Sequence, residues 1–308
     1  METITRDISY FDLKHLNRPR VIATAVIQSP NEVALVDPGP SSCLETLRAS
    51  LADAGITIRD VQTLLLTHIH LDHAGAVGSL LQENPKIEVY VHERGAPHMI
   101  DPSKLLSSAS RLYGDAMDRL WGPFLPVPES NIRLLRGGER LACGDRELTV
   151  AYTPGHASHH VSFFDRSSGV AFVGDVAGVR TGRAVFAMPP TPPPDIDIEA
   201  WRDSVEIIRK WQPATLFVTH FGAHEDPSAH LDALMVHLSA MKEMSRACIE
   251  KGGSESDQMS RFVDEMRIYI QKHVPDSESH LYGRAAPIDQ CWLGLARYWR
   301  KRGVEGQR

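Results

Sequence analysis

The chain reads as an α/β protein, and three observations point to that class. Short apolar runs of β-forming residues alternate with helical patterns through the first two-thirds of the sequence. Several of those runs close on a histidine or an aspartate, as strand ends do when they face a common site. The last third turns helical, with apolar residues recurring at three- and four-residue spacing.

In chain order, "METITRDISYFDLKH" lacks the basic-then-apolar pattern of a secretory leader, and no apolar run is long enough to span a bilayer, so a cytoplasmic location is expected. "RVIATAVIQ" and "EVALVDPG" read as two strands joined by a turn at Ser29-Pro30-Asn31. Ser42 is placed to cap a helix, with Glu45 completing a capping box and Leu44, Leu47 and Leu51 on one face. "VQTLLLTH" reads as a buried strand, "AGAVGSLLQ" as the start of a helix and "IEVYVHE" as the next strand. Residues 95–130 break this rhythm with a helical stretch and the proline-rich exit "PFLPVPES", and read as an insertion.

From 132 to 180 the pattern is strongly β, with turns at Gly137-Gly138, Gly144-Asp145 and Ser167-Ser168-Gly169 suggesting consecutive hairpins. "MPPTPPPDID" is a stiff loop, because proline removes backbone donors. A helix from about 198 to 211 precedes the strand "ATLFVTHFG". Three apolar stripes follow: Leu231, Leu234, Met235, Leu238 and Met241; Met259, Phe262, Val263, Met266 and Ile270; Ile288, Trp292, Leu295 and Trp299. They read as packing faces.

Composition narrows the function. The 308 residues are 42% hydrophobic and 23% charged with a net charge of -6, the two signs well mixed. That balance argues against broad electrostatic binding of nucleic acid or an anionic membrane. Cys43, Cys143, Cys248 and Cys291 are far apart and form no CxxC pair, which argues against a disulfide framework or a thiolate zinc site. The terminal cluster Arg297, Arg300, Lys301 and Arg302 reads as a solvated helix end.

The polar strand ends carry the chemistry. Asp37 ends "VALVD", His68 ends "LLLTH", His156 follows "LTVAYTPG", Asp175 ends "VAFVGD" and His220 ends "TLFVTH". Buried imidazoles and carboxylates without partners are costly, whereas a metal ion satisfies them together. In the run "THIHLDHAG", positions two apart in an extended segment point the same way, so His68 and His70 can grip one ion. Asp72 and His73 come as the chain turns into its helix and can reach a second. Such donors suit zinc and also accept iron, manganese or cobalt.

Residues 20–225 resemble the metallo-β-lactamase-fold hydrolases, whose motif positions all occur here in order: "VDPG", HxHxDH, "PGH", "GD" and "THFG". The resemblance implies a four-layer αββα sandwich over a catalytic domain of residues 1–226, with 227–308 as a C-terminal helical region. It implies that His68, His70 and His156 hold one metal, that Asp72, His73 and His220 hold another, and that Asp175 bridges them. Asp37 would orient a ligand histidine, and His160 would support the site from behind. Two divalent ions, zinc foremost with iron or manganese as alternatives, would share a hydroxide that attacks an ester, thioester or lactone. Asp72 would also steer that hydroxide and pass its proton to the leaving group.

Departures from the family refine this. The antibiotic-degrading branch generally lacks the bridging aspartate that "VGDVAG" supplies and is usually exported, so a β-lactamase is disfavoured. The flavodiiron branch carries glutamate where this chain has His70. In the common "GHTPGH" run this chain reads "GHASHH", with His159 in place of a glycine. The resemblance is nearest to the glyoxalase II-like and lactonase-like branches, although no clear basic set for glutathione stands out in the sequence. A phosphodiesterase of the same fold and a sulfur dioxygenase with one iron are the alternatives. Tyr113, Trp121, Phe124, Phe186 and His159 are the candidates to contact a small-molecule substrate, and a homo-oligomer is compatible with the sequence.

Overall fold

The computed structural model describes residues 1–304. Two mixed sheets form its centre. The first runs in sequence order: β1 (Glu2–Thr5), β2 (Ile8–Asp12), β3 (Ala23–Ser29), β4 (Glu32–Val36), β5 (Val61–Leu65), β6 (Glu88–His92) and β7 (Ile132–Leu135). Its first four strands pair antiparallel and β4 to β7 pair parallel. The second holds β8 (Arg140–Cys143), β9 (Arg146–Tyr152), β10 (Val161–Asp165), β11 (Val170–Phe172), β12 (Thr215–Val218) and β13 (Gly222–His224), in the order β13-β12-β11-β10-β9-β8. Only β11 and β12 are parallel in it.

Three apolar seams define four layers. Between the sheets, Ile8, Ala25, Val36 and Leu65 face Leu148, Val150, Phe163 and Phe217. Outside the first sheet, α1 (Leu44–Asp53), α2 (Leu71–Ala74) and α3 (Val77–Glu83) bury Leu47, Leu51, Val77 and Leu80 against Val26, Leu64 and Val89. The insertion adds α4 (Ala96–Ile100), α5 (Ser103–Tyr113) and α6 (Met117–Trp121) to this side.

Outside the second sheet, α7 (Ile198–Trp211) is joined by α8 (Pro227–Glu250), α9 (Glu255–His273), α10 (Asp276–Ala285) and α11 (Ile288–Arg300). Leu231, Leu238, Phe262 and Trp292 of these helices share one core with Phe164, Ala171 and Leu216 of the sheet. Each such side chain contributes about 1.5–3 kcal/mol on burial. Among the described residues, no helix is long and apolar enough to cross a membrane. All four cysteines are free and buried.

The structure departs from the sequence reading at four places. The hairpin of β1 and β2 has no counterpart there, because β1 is an edge strand with half-buried or exposed residues that give no alternation. Ser42 does not cap α1: it lies inside a 3₁₀ turn at Ser41–Cys43, and its hydroxyl donates to the Leu120 carbonyl at 2.7 Å. The turn at Gly137-Gly138 closes no hairpin, since β7 and β8 lie in different sheets. Both glycines have positive φ, and a Cβ on Gly137 would meet the Tyr152 backbone nitrogen at 2.5 Å, so the chain crosses from sheet to sheet at a point only glycine fits. Finally, α10 lies between the second and third stripes, where only Tyr282 of its residues is fully buried.

Candidate metal centre

The ends of β4, β5 and β12, with the turns after β9 and β11, meet at one edge of the two sheets. Asp37 is their common anchor. It follows β4 in a left-handed conformation, φ 50°, and is fully buried. Its Oδ1 accepts from the Thr67 backbone N–H at 2.8 Å. Its Oδ2 accepts from the hydroxyls of Thr67 at 2.7 Å and Thr219 at 2.8 Å, and from His73 Nδ1 at 2.8 Å. One carboxylate thus ties three strand ends together, which is what a strained buried residue at a site requires.

The histidines are aimed from behind. His156 Nδ1 donates to the Pro190 carbonyl at 2.9 Å, and His220 Nδ1 donates to the Val21 carbonyl at 2.6 Å. With Nδ1 of His73, His156 and His220 spent as donors, each Nε2 is left as a lone pair pointing forward. His68 Nδ1 lies 3.1 Å from the Thr67 hydroxyl. His160 sits behind His68 with its rings stacked at 5.1 Å, and its Nδ1 is 3.0 Å from the Thr153 hydroxyl.

Forward of these, donor atoms converge. His70 Nδ1 lies 3.0 Å from His68 Nε2 and 2.9 Å from His156 Nε2. Asp175 Oδ1 is 3.3 Å from His73 Nε2 and 3.5 Å from His220 Nε2, and its Oδ2 is 3.4 Å from His156 Nε2. Asp72 Oδ2 is 3.3 Å from His220 Nε2. Three ligand sets follow, His68/His70/His156, His68/His73/Asp175 and Asp72/His73/His220, each with its donor atoms within 4.8 Å of one another. Asp175 is carried by a 3₁₀ turn at Gly174–Ala177 that Trp201 Nε1 and His230 Nε2 pin through the carbonyls of Val176 and Ala177. Gly174 has φ 45°, and a Cβ there would sit 2.5 Å from the Thr67 hydroxyl, so the turn passes against the Asp37 anchor only as glycine.

These residues fit divalent cations. His73 Nε2, His220 Nε2 and Asp175 Oδ1 are buried without a hydrogen-bond partner, although they face one another. Lone pairs opposed at such distances repel unless positive charge lies between them. The titration behaviour says the same. Burial alone would hold His73 low, but the carboxylates of Asp175, Asp37 and Asp72 lift it well above its ordinary value. Burial would raise Asp175, but His73, His220 and His156 hold it well below the usual carboxylate range. Burial and the neighbouring His156 push His70 down to about 4, leaving it a neutral donor.

The cluster opens into a cavity of about 590 Å³ between the insertion, the proline loop and the start of α11. Tyr113 and Trp121 line it, and Tyr113 bonds Gln290 of α11 at 3.2 Å. His159 also lines it. It is buried, its Nδ1 has no partner, and its ring lies 5.6 Å from that of His70. Phe124 and Phe186 do not line it. Phe124 packs into the core under the first sheet, and Phe186 packs between His237 and Tyr282. Loop aromatics do not declare in sequence which side they face. The sequence reading also missed Thr67 and Thr219, and His15, which stacks on Trp121 at 5.3 Å and lines the cavity. Only their place beside the motif residues marks the two threonines.

A family model described as "Metallo-beta-lactamase superfamily" matches residues 17–220. The metallo-beta-lactamase fold-containing protein ST1585 of Sulfurisphaera tokodaii is 27% identical over 207 residues, 66% of this chain and 74% of that one. A hydroxyacylglutathione hydrolase of Synechocystis sp. is 30% identical over 163 residues, 51% of this chain, and the match spans 46% of that enzyme, less than half its length. The crystal structure of a metallo-beta-lactamase family protein, TTHA1429 of Thermus thermophilus, superposes with a TM-score of 0.71 at 22% identity, covering 98% of this chain and 95% of that one. At that identity the likeness is one of fold.

Proposed function

This chain belongs to the metallo-beta-lactamase superfamily and is a metal-dependent hydrolase, and on that premise we propose that it holds two zinc ions and cleaves an ester, thioester or lactone. The observation that carries this reading is the set of forward-facing, unpartnered Nε2 and carboxylate atoms at the floor of an open cavity. His68, His70 and His156 would hold one ion, Asp72, His73 and His220 the other, and Asp175 would reach both. Divalent ions there would bring the pKa of water to about 7 and polarise the carbonyl under attack.

The chain's own residues do the rest. Asp37, held by Thr67 and Thr219, keeps His73 in the tautomer that presents Nε2. Asp72 is the more exposed of the two clustered carboxylates, at 20% of its side chain against 5% for Asp175. Its carboxylate stands at the cavity floor, where it takes a proton from the attacking water and returns it to the departing oxygen or sulfur. Water adds to the carbonyl carbon, the C–O or C–S bond breaks, and the products are an alcohol or thiol, a carboxylate and one proton. Ile69, Leu71, Leu105 and Trp121 wall the cavity and limit competing water. The hydroxyacylglutathione hydrolase relative supports a thioester.

Elemental analysis of purified protein tests the metal count, beside a panel of esters, thioesters, lactones and phosphodiesters. Two zinc ions per chain and carboxylic ester or thioester cleavage are expected, with Asp175→Ala losing one ion and turning over at least ~100-fold more slowly. One iron per chain with oxygen uptake on a persulfide overturns the reading in favour of a dioxygenase. Preference for phosphodiesters overturns its substrate class.

A further inference from the structure

The cavity above the metal centre carries an uncompensated cationic rim. Arg18, Arg94, Lys104, Arg119 and Arg284 line it, from the loop after β2, the turn after β6, the insertion and the end of α10. Among the described residues none of the five is in a salt bridge, whereas Arg48, Arg133, Arg146, Arg180 and Arg209 elsewhere all face carboxylates within 4 Å. The carboxylates lining the cavity are Asp72 and Asp175 of the metal centre and Asp195, which accepts from the Ser158 hydroxyl at 2.6 Å. Arg94 is held in place, donating to the Tyr152 hydroxyl at 3.0 Å with its guanidinium 5.6 Å from that ring. In a chain of net charge -6 this grouping is not general basicity.

A second groove continues from the first. Arg18, Gly283, Arg284 and Pro287 line both, and Arg267 extends the positive charge outward, against Asp289 as the lining carboxylate. Arg267 itself has an exposed partner, Asp264, at 3.6 Å. The two grooves thus form one path, from the metal centre past an apolar wall of Leu105, Leu112 and Trp121 to guanidinium groups at Arg18 and Arg284. A guanidinium is built to receive phosphate, by planar paired hydrogen bonds as well as by charge.

We propose that the substrate is an acyl thioester whose carrier thiol bears phosphate, with the acyl group at the metal centre and the phosphate on the rim at Arg18 and Arg284. This rests on the hydrolase reading above and narrows it to a substrate class. Hydrolysis breaks the C–S bond, forms a bond from the water oxygen to the acyl carbon, gives one proton of the water to the thiol and the other to solvent, and leaves the phosphate untouched.

The test uses the metal-loaded protein and a series in which the first step adds one phosphate alone and the second adds a phosphorylated adenosine. Acetyl-pantetheine, acetyl-4′-phosphopantetheine and acetyl-coenzyme A are compared for kcat/KM. Coenzyme A and pantetheine are compared for binding by calorimetry, a readout that needs no turnover. Coenzyme A is expected to bind at least tenfold more tightly than pantetheine. That preference should shrink with added salt and disappear in R18Q/R284Q. R140Q, on the distant strand β8, should retain it. Equal affinity for coenzyme A and pantetheine overturns the proposal. If dihexanoyl phosphatidate binds as tightly as coenzyme A, the phosphate source is a lipid and the thioester assignment falls. If coenzyme A binds tightly but none of the three thioesters is cleaved, the phosphate rim stands and the thioester assignment falls, and only if the ester and lactone panel is also uncleaved does the proposed function fail with it.

Discussion

Asp37 touches four polar groups and lines no part of the cavity, so its substitution separates support from chemistry. Asp37→Asn replaces one acceptor oxygen by an amide that must face either the Thr67 backbone N–H or the two hydroxyls and the His73 N–H. The expected result is metal affinity lower by about 10–100-fold, read by chelator competition, with substrate KM little changed once metal is restored. A KM shift without a metal-affinity shift would contradict this placement. At this scale the sequence was legible where a polar residue closes an apolar run: His68, His156, Asp175 and His220 could be singled out because nothing else explains them at strand ends. Thr67 and Thr219 were not, because threonine is ordinary at a strand end and only the fold shows that both point at Asp37. Phe124 and Phe186 misled for the opposite reason: an aromatic in a loop fits a cavity wall or a core equally well until the layers are assembled.

The insertion is the element with the most freedom to change. Its helices α5 and α6 bring Tyr113, Trp121, Lys104 and Arg119 to the cavity but contribute none of the seven clustered residues that could hold metal. Replacing residues 103–121 by a short Gly-Ser turn should keep the metals and change the ranking of substrates. Long acyl groups should lose most, since each lost wall side chain is worth up to about 1.5–3 kcal/mol. Relative kcat/KM for short and long acyl thioesters measures it, and an equal loss on all of them would show that the insertion does not select. Elements with strong periodicity, such as α7 and α8, were legible from sequence. The crossing from β7 to β8 was not, because two glycines in a row look alike whether the chain reverses or changes sheet.

For the whole molecule, the metal centre joins two sheets that otherwise meet through an apolar seam and a few bonds such as Ala23 N–H to the Thr219 carbonyl at 2.8 Å. Stripping the metal should lower Tm by roughly 5–10 °C, as loss of a tightly bound ligand does in a chain of this size, and zinc should restore it. A Tm indifferent to chelation would show that the cluster does not hold an ion in the folded state. Acid should act elsewhere as well. Burial, helped by Arg180 and opposed by the bond to the Ala177 carbonyl, brings His230 down to about 4, so the folded chain keeps this ring neutral while the unfolded chain protonates it near 6.5. Its stability contribution is therefore intact above about pH 6.5 and lost as pH falls toward 4. His230→Gln, which can still donate to the Ala177 carbonyl, should flatten the stability-pH slope by up to one proton in that window, measured by denaturant unfolding. The four layers were legible only through the family resemblance; alternation alone gave the class. The spread of the donors along the chain has a consequence in time. HxHxDH is synthesised roughly 150 residues before His220, an interval on the order of 10–30 s at ribosomal rates. During that interval each of the three candidate donor sets lacks its last member, His156, Asp175 or His220, until the second sheet is made. A complete site would therefore be a property of the folded two-sheet protein and not of the emerging chain.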